Sequence, residues 1–557
     1  MKKYVCLLLV LCLLTGTLSG CDFYGTSGLE RVIDALLAGP PTEPSQDALA
    51  NMQQQLRDNE TAYADMVYTR PDMQELEDLL KGACDAADQG DAEMALLYVY
   101  DFYDAYDWFY TNYSLADIRC SADLTDRYWE AEYSFCVENS ARVDAALEEL
   151  YYALAASPAC DALEEEYFGD GWFDDYKGEN NWDETFTALL EEEAALQNRY
   201  YELSGIAVDY VYGTDAYYEA CGNDMVELLV DLIEVRQRIA DCWGYPDYPS
   251  FATDFYYYRD YTPAQTDAYL ADIRKELVPL YEELNNSPLF RVRYDYTTET
   301  ETYGYVRSMA QRMGGTVKRA FDLMNRAGLY DIGDSPNKYE SSFEVYLTMY
   351  SEPFIFMNPE GSQYDHLTFA HEFGHFCNDF ASGGSYVGID VLEIFSQAME
   401  YLSLCYADGG RELTKMKMWD SLCLMVEQSA FASFESRMYG LEGEELTAEN
   451  LRALYDEVAR EYGFESVGYD DREFITITHY YTNPMYIISY VVSNDSAMQF
   501  YQLEQDAPGA GLEVFQDHLS TESYYFLEFL EEAGLNSPFV PGRVAELRKT
   551  LEATLKT

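Results

Sequence analysis

His371 and His375 stand four residues apart in His371-Glu372-Phe373-Gly374-His375. On a helix that spacing places both imidazoles on one face, one turn apart, where they can share a metal ion. Glu372 then lies beside them, within reach of a water at that ion. The chemistry open to such a trio is hydrolysis: a Lewis-acid metal lowers the pKa of water, and a carboxylate takes its proton. With five histidines in 557 residues, the pattern arises by chance roughly once in two hundred such chains. Its surroundings favour a helix. Phe369, Phe373, Phe376 and Phe380 follow a 4-3-4 spacing that puts an apolar stripe opposite the histidines. One side is therefore expected to pack while the other faces a cleft.

A catalytic zinc takes three protein ligands and keeps one position for water. Cys377 and Asp379 lie too close along the same helix to serve. After the loop Ser382-Gly383-Gly384-Ser385, the stretch Asp390–Leu402 reads as helical, with Glu393, Gln397 and Glu400 on one face. Glu400 stands about 10 Å along the axis from Glu393, too far to join it on one ion. On its residues alone, Glu393 reads as a solvated helix glutamate in an acid-rich chain.

Phe354–Asn358 followed by His366–His375 resembles the strand-to-motif passage of the M3-type zinc oligopeptidases, the family of thimet oligopeptidase and oligoendopeptidase F. Glu393-Ile394-Phe395-Ser396-Gln397-Ala398-Met399-Glu400 is similar to that family's second motif, ExxSxxxE, whose first glutamate is the third zinc ligand. The resemblance thus implies one Zn²⁺ on His371, His375 and Glu393, with Glu372 as the base. The connecting loop is several residues shorter than the family's. Further on, Thr478–Tyr486 and Ser489-Tyr490 are similar to its histidine-then-tyrosines segment, although the tyrosine spacing is offset and Pro484 departs from the pattern. The likeness implies that His479, Tyr490 and Tyr486 stabilise the tetrahedral intermediate and that Tyr481 contacts substrate. Phenol and imidazole donors suit the oxyanion that forms when water attacks a carbonyl. A fainter likeness surrounds Arg259-Asp260-Tyr261-Thr262-Pro263. His366 and His518 read as structural or surface residues.

The formal charge is −66, from 101 acidic and 35 basic residues. A surface this negative repels phosphate backbones and excludes nucleic acid as a partner. At the N-terminus, Lys2 and Lys3 precede the apolar run Val5–Leu14, and Leu18-Ser19-Gly20-Cys21 resembles the lipobox of bacterial lipoproteins. That resemblance implies cleavage before Cys21, acylation of its thiol and an extracytoplasmic protein anchored to a bacterial membrane. A simple secretory signal is the alternative. Of twelve cysteines, nine remain beyond Cys21, so at least one cannot join an intramolecular disulfide.

The expected organisation is a signal over 1–20, a Pro- and Gln-rich tether over 21–60, an N-terminal helical lobe over 61–240 and a catalytic domain over 241–557. Helical periodicity marks Val143–Leu154 and Leu189–Leu203, and Thr262-Pro263 starts a helix that is expected to run to about Leu284. Strand signals are scarce; the best, Phe354–Asn358, is expected to pair with substrate backbone through the segment around Phe354 and Phe356. The family resemblance implies a mainly α, two-lobed helical zincin with a deep substrate channel and a small β-sheet next to the motif helix. It further implies hydrolysis of internal bonds in short peptides. Two alternatives stay open: a zinc carboxypeptidase of related fold, and a non-catalytic peptide-binding lipoprotein that retains a metal site.

Overall fold

The computed structural model describes residues 61–556, apart from 170, 178–183, 208–213 and 385–386. The expected signal, Cys21 and the tether lie outside the described residues. Among those described, no helix is long and apolar enough to cross a membrane. The architecture is mainly helical with one three-stranded sheet. Contacts divide the chain into two compact units, each assembled from separated stretches.

One unit joins the described part of Thr15–Asn180 to Thr297–Tyr386. It opens on helices Met73–Asp88, Ala92–Ala122 and Arg127–Ala156, the last containing the expected run Val143–Leu154. Each starts at an aspartate, Asp72, Asp91 or Asp126, whose carboxylate accepts a backbone N–H of the first turn. Part of the large acid excess thus serves the positive ends of helices. Their apolar faces meet in a core that includes Val99, Phe102, Phe109, Leu150 and Leu154.

The same unit holds the sheet: β1 (Tyr330–Asp331), β2 (Ser342–Leu347) and β3 (Glu352–Met357) in the order β1-β3-β2. β3 pairs with β2 antiparallel, Phe343 opposite Phe356, and with β1 parallel, Tyr330 opposite Ile355. Lys338, buried, fastens the sheet's end: its ammonium donates to Asp331 Oδ1 at 2.8 Å, Gly333 O at 3.0 Å and Met357 O at 2.6 Å. The expected strand over Phe354–Asn358 therefore exists, displaced slightly toward the N-terminus. Its expected role in pairing with substrate does not hold. β3 is flanked on both edges, and Phe354 and Phe356 are fully buried, against Tyr63 and Phe343 respectively. Among the described residues the sheet edges left without a strand neighbour are the outer ones of β1 and β2.

The other unit is built from the described parts of Asn181–Tyr296 and Val387–Thr557. The helix expected from Thr262-Pro263 begins with a full capping box, Thr262 and Gln265 each bonding the other's backbone. It breaks at Leu277 into Pro263–Glu276 and Val278–Asn286. Pro279 is the cause, since it has no N–H to give the preceding turn. Helix Ile389–Tyr406, which carries Glu393, starts where Gly388 donates to Tyr524 O at 3.0 Å. A Cβ at Gly388 would stand 2.8 Å from that carbonyl oxygen, so only glycine permits the approach.

Candidate active site

The motif helix spans Tyr364–Ser382 and closes on Gly383, left-handed at φ 80°. His371 and His375 lie on one face as the spacing requires, with ring centroids 5.1 Å apart and ligand nitrogens within 4.8 Å of one another. Phe369, Phe373 and Phe376 form the expected stripe, fully buried, while Phe380 is half-buried. On the histidine side Glu372 is 2% exposed and His375 3%, while His371 is half-buried. Neither ring nitrogen of His375 has a hydrogen-bond partner. Burial first, and then the neighbouring His371, hold its pKa well below the ordinary imidazole range. A neutral imidazole with a lone pair unclaimed by hydrogen bonding is what a zinc ligand requires, so His375 fits the ion, and His371 brings a second ring nitrogen close to it.

A further acid in this unit, Glu344, lies close to both Asp379 and Glu372. Glu344 of β2 has its carboxyl pushed well above the usual range, chiefly by burial and then by the charges of Asp379 and Glu372. Motif spacing gave no sign of Glu344, which reaches the group from a strand.

In the other unit, Glu393 is 1% exposed, which removes the solvated reading. Ser396, the serine of ExxSxxxE, donates to Glu393 Oε2 at 3.2 Å, and the Tyr486 hydroxyl donates to Oε1 at 3.3 Å. Glu400 has a different partner, the buried Lys417 at 2.7 Å. Gln397, between them on the same face, accepts from Asn494 Nδ2 at 2.7 Å. The helix face that looked uniform in sequence thus divides into separate tasks.

His479 heads the short helix His479–Thr482. It is buried, its Nδ1 has no hydrogen-bond partner, and burial pulls its pKa down to about 4. The Tyr490 hydroxyl lies 3.4 Å from its Nε2. The rings of His479, Tyr486 and Tyr490 form one cluster, with centroids 5.1 to 5.9 Å apart. Tyr481, expected to contact substrate, does not belong to it. Its ring is fully buried and stacks on Tyr200 at 4.4 Å, and its hydroxyl donates to Met225 O. That makes Tyr481 a packing residue.

Sequence reasoning missed the residue that holds this helix. Arg236 is fully buried and donates to Tyr480 O and Tyr481 O, each at 2.6 Å, and to Glu193 at 2.6 Å. His366 stacks on Tyr305 and bonds the Thr302 hydroxyl at 3.1 Å, while His518 donates to Val514 O. All nine cysteines beyond Cys21 are free thiols.

Residues 63–180 match the family model Peptidase M3 N-terminal domain, and residues 306–547 match Peptidase family M3. No curated protein matches the chain in sequence. A solved structure provisionally described as oligoendopeptidase F is 20% identical, with 89% of this chain and 99% of that one covered at a TM-score of 0.72. PZ peptidase A with an inhibitor is 19% identical, with 88% and 99% covered at 0.72. The M32 carboxypeptidase of Deinococcus radiodurans R1 is 14% identical, with 87% and 100% covered at 0.53. At such identities the likeness to these structures is one of fold.

Proposed function

We propose that this chain, which carries two domains of peptidase family M3, is a zinc-dependent oligopeptidase that hydrolyses internal bonds of short peptides. The observation that carries the reading is His375, buried with both nitrogens free of hydrogen bonds, one turn from His371. His371 and His375 are assigned as two ligands of one zinc ion. Glu393 is assigned as the third, supported by its burial, its two hydroxyl donors and its place in the ExxSxxxE pattern. Zinc, when bound, supplies a Lewis acid that lowers the pKa of water and polarises the scissile carbonyl. Glu372 takes the proton of the attacking water and passes it to the leaving amine. Tyr490 donates to the oxyanion; its hydroxyl is set by His479, which burial keeps neutral at physiological pH. Tyr486 serves through Glu393, because its hydroxyl is directed at that carboxylate.

The family assignment supports peptide substrates, and the charge of −66 argues against nucleic acid. We further assign Cys21 as an acylated anchor at the outer face of a bacterial membrane, on the strength of Leu18-Ser19-Gly20-Cys21. Cys21→Ser is expected to release the protein from the membrane fraction. Retention of the variant would refute the anchor.

One observation favours a second reading: the fold is shared with an M32 carboxypeptidase. A quenched fluorescent peptide blocked at both ends separates the two. The endopeptidase cleaves it, with zinc bound, and Glu372→Gln does not. Cleavage only of peptides with a free C-terminus would favour the carboxypeptidase. Equal turnover by wild type and Glu372→Gln would refute the mechanism. Bound zinc without turnover of any peptide would favour the peptide-binding lipoprotein.

A further inference from the structure

Met485 has φ 64°, one of three non-glycine residues with positive φ among those described. The left-handed region crowds the Cβ of an L-residue, and methionine has no short polar group to compensate. Such a conformation persists only where the surroundings enforce it. Here the residue is gripped at both ends. Its N–H donates to Glu435 Oε1 at 2.7 Å, and its carbonyl accepts from Arg259 Nη1 at 2.9 Å. Both partners are buried, Glu435 at 1% exposure and Arg259 at 8%.

Arg259 does more than hold one carbonyl. Its Nη2 donates to Ser489 Oγ at 2.8 Å, and its Nε to Asp390 Oδ2 at 3.2 Å. The Tyr257 ring lies under the guanidinium at 4.2 Å. Asp390 stands in the first turn of the Glu393 helix, and Tyr261 also donates to it at 2.7 Å. A single planar cation therefore bonds both the start of the Glu393 helix and the turn that leads into Tyr486. The geometry suits arginine, whose fixed fork of donors addresses several acceptors at once.

We propose that Arg259 and Glu435 clamp Met485 in its left-handed conformation, and that this clamp aims the Tyr486 hydroxyl at Glu393. Both are positioning residues for peptide hydrolysis, and the proposal rests on the reading that Glu393 and Tyr486 serve the hydrolytic centre. It also gives a task to the sequence around Arg259-Asp260-Tyr261.

The test is a double-mutant cycle with three readouts. Glu435→Leu removes the acceptor of the Met485 N–H; Glu435→Gln keeps an oxygen there. Glu435→Leu is expected to lower kcat between about tenfold and a hundredfold with KM little changed. Glu435→Gln is expected to restore most of it. In a Tyr486→Phe background, Glu435→Leu is expected to add no further loss. Zinc release to a chelator, which needs no turnover, is expected to quicken in Glu435→Leu and Tyr486→Phe alike, and no further in the double variant. A crystal structure of Glu435→Leu is expected to show Met485 at negative φ. Should Glu435→Leu not fold, Glu435→Asp, with its shorter reach, takes its place. Met485 still left-handed in the variant overturns the clamp whatever the enzyme does. Losses that add in the double variant, or equal losses from Leu and Gln, overturn the positioning role. A wild type that neither binds zinc nor cleaves peptides overturns the functional reading, and the Met485 conformation in the variant still tests the clamp by itself.

Discussion

The Tyr486 hydroxyl donates to Oε1 of Glu393 at 3.3 Å, while Ser396 donates to Oε2 of the same carboxylate. A buried ligand carboxylate needs such donors, since they fix which lone pair remains for a metal. Tyr486→Phe is therefore expected to weaken zinc binding about tenfold to a hundredfold. Competition with a chelator measures it. Zinc affinity equal to wild type would show that the hydroxyl does not orient the carboxylate.

Glu372→Gln should lower kcat by about two to four orders of magnitude, the range of a lost general base. The zinc content is expected to stay at the wild-type level, because Glu372 is not among the three assigned ligands. Turnover of a doubly blocked peptide and metal analysis of the same preparation give both numbers. Parallel loss of zinc would reassign Glu372 to the ligand set.

His375→Ala should lose zinc and activity together. Removing the metal from wild type with a chelator should abolish turnover, and adding Zn²⁺ should restore it in wild type only. Restoration in the variant would mean that His375 is dispensable.

Asp144 and Glu148 face the helical core of the first-described unit, each with its carboxyl raised to about 7, mainly by burial. Neither oxygen of Glu148 has a hydrogen-bond partner. Between their ordinary values and pH 7, the folded chain keeps protons that the unfolded chain has released. The pair's contribution is thus present below the unfolded pKa and is lost as pH rises through 7. Glu148→Gln, which mimics the protonated form, is expected to exceed wild type by about 1 kcal/mol near pH 5.5 and by about 3 kcal/mol at pH 8. Urea melts at the two pH values decide the matter; an equal effect at both would contradict it.

Lys338→Met should destabilise the sheet-bearing unit by about 2–4 kcal/mol. The loss strands the carbonyls of Asp331, Gly333 and Met357, each of which now accepts from the ammonium. Arginine is too large for this cage and is not expected to rescue it. Denaturant melts of the three proteins test both statements.

The sequence made some of this legible for plain reasons. The 4-3-4 phenylalanine stripe is local, so it marked the motif helix, and Thr262-Pro263 marked a start that Gln265 completes. Glu393 was different. Its neighbours gave only an acidic helix, and its burial depends on packing that no spacing reveals. The family resemblance alone raised it. β2, Ser342-Phe343-Glu344-Val345-Tyr346-Leu347, alternates as a strand should, yet it is short and lies outside the quoted motifs. Without it, Phe354 and Phe356 looked like an open edge. Arg236 left no trace at all, and Arg259 only the faint likeness around it. An arginine that bonds main-chain carbonyls more than two hundred positions away has no partner residue type to search for. The tyrosines were obscured in the opposite way: with 53 in the chain, composition could not separate Tyr481, which packs, from Tyr486, which bonds Glu393.

Arg236 also imposes an order on biosynthesis. Its acceptors, Tyr480 O and Tyr481 O, are made 244 and 245 residues after it. At translation rates of about 5–20 residues per second, that interval lasts on the order of ten to fifty seconds. Glu193, already synthesised, can neutralise the guanidinium meanwhile, but the remaining donors must stay wet. The helix that carries Arg236 therefore cannot reach its final burial until nearly the whole polypeptide has left the ribosome. A nascent chain stalled before 480 would expose that helix to proteases, and its protection on completion would time the last step of assembly.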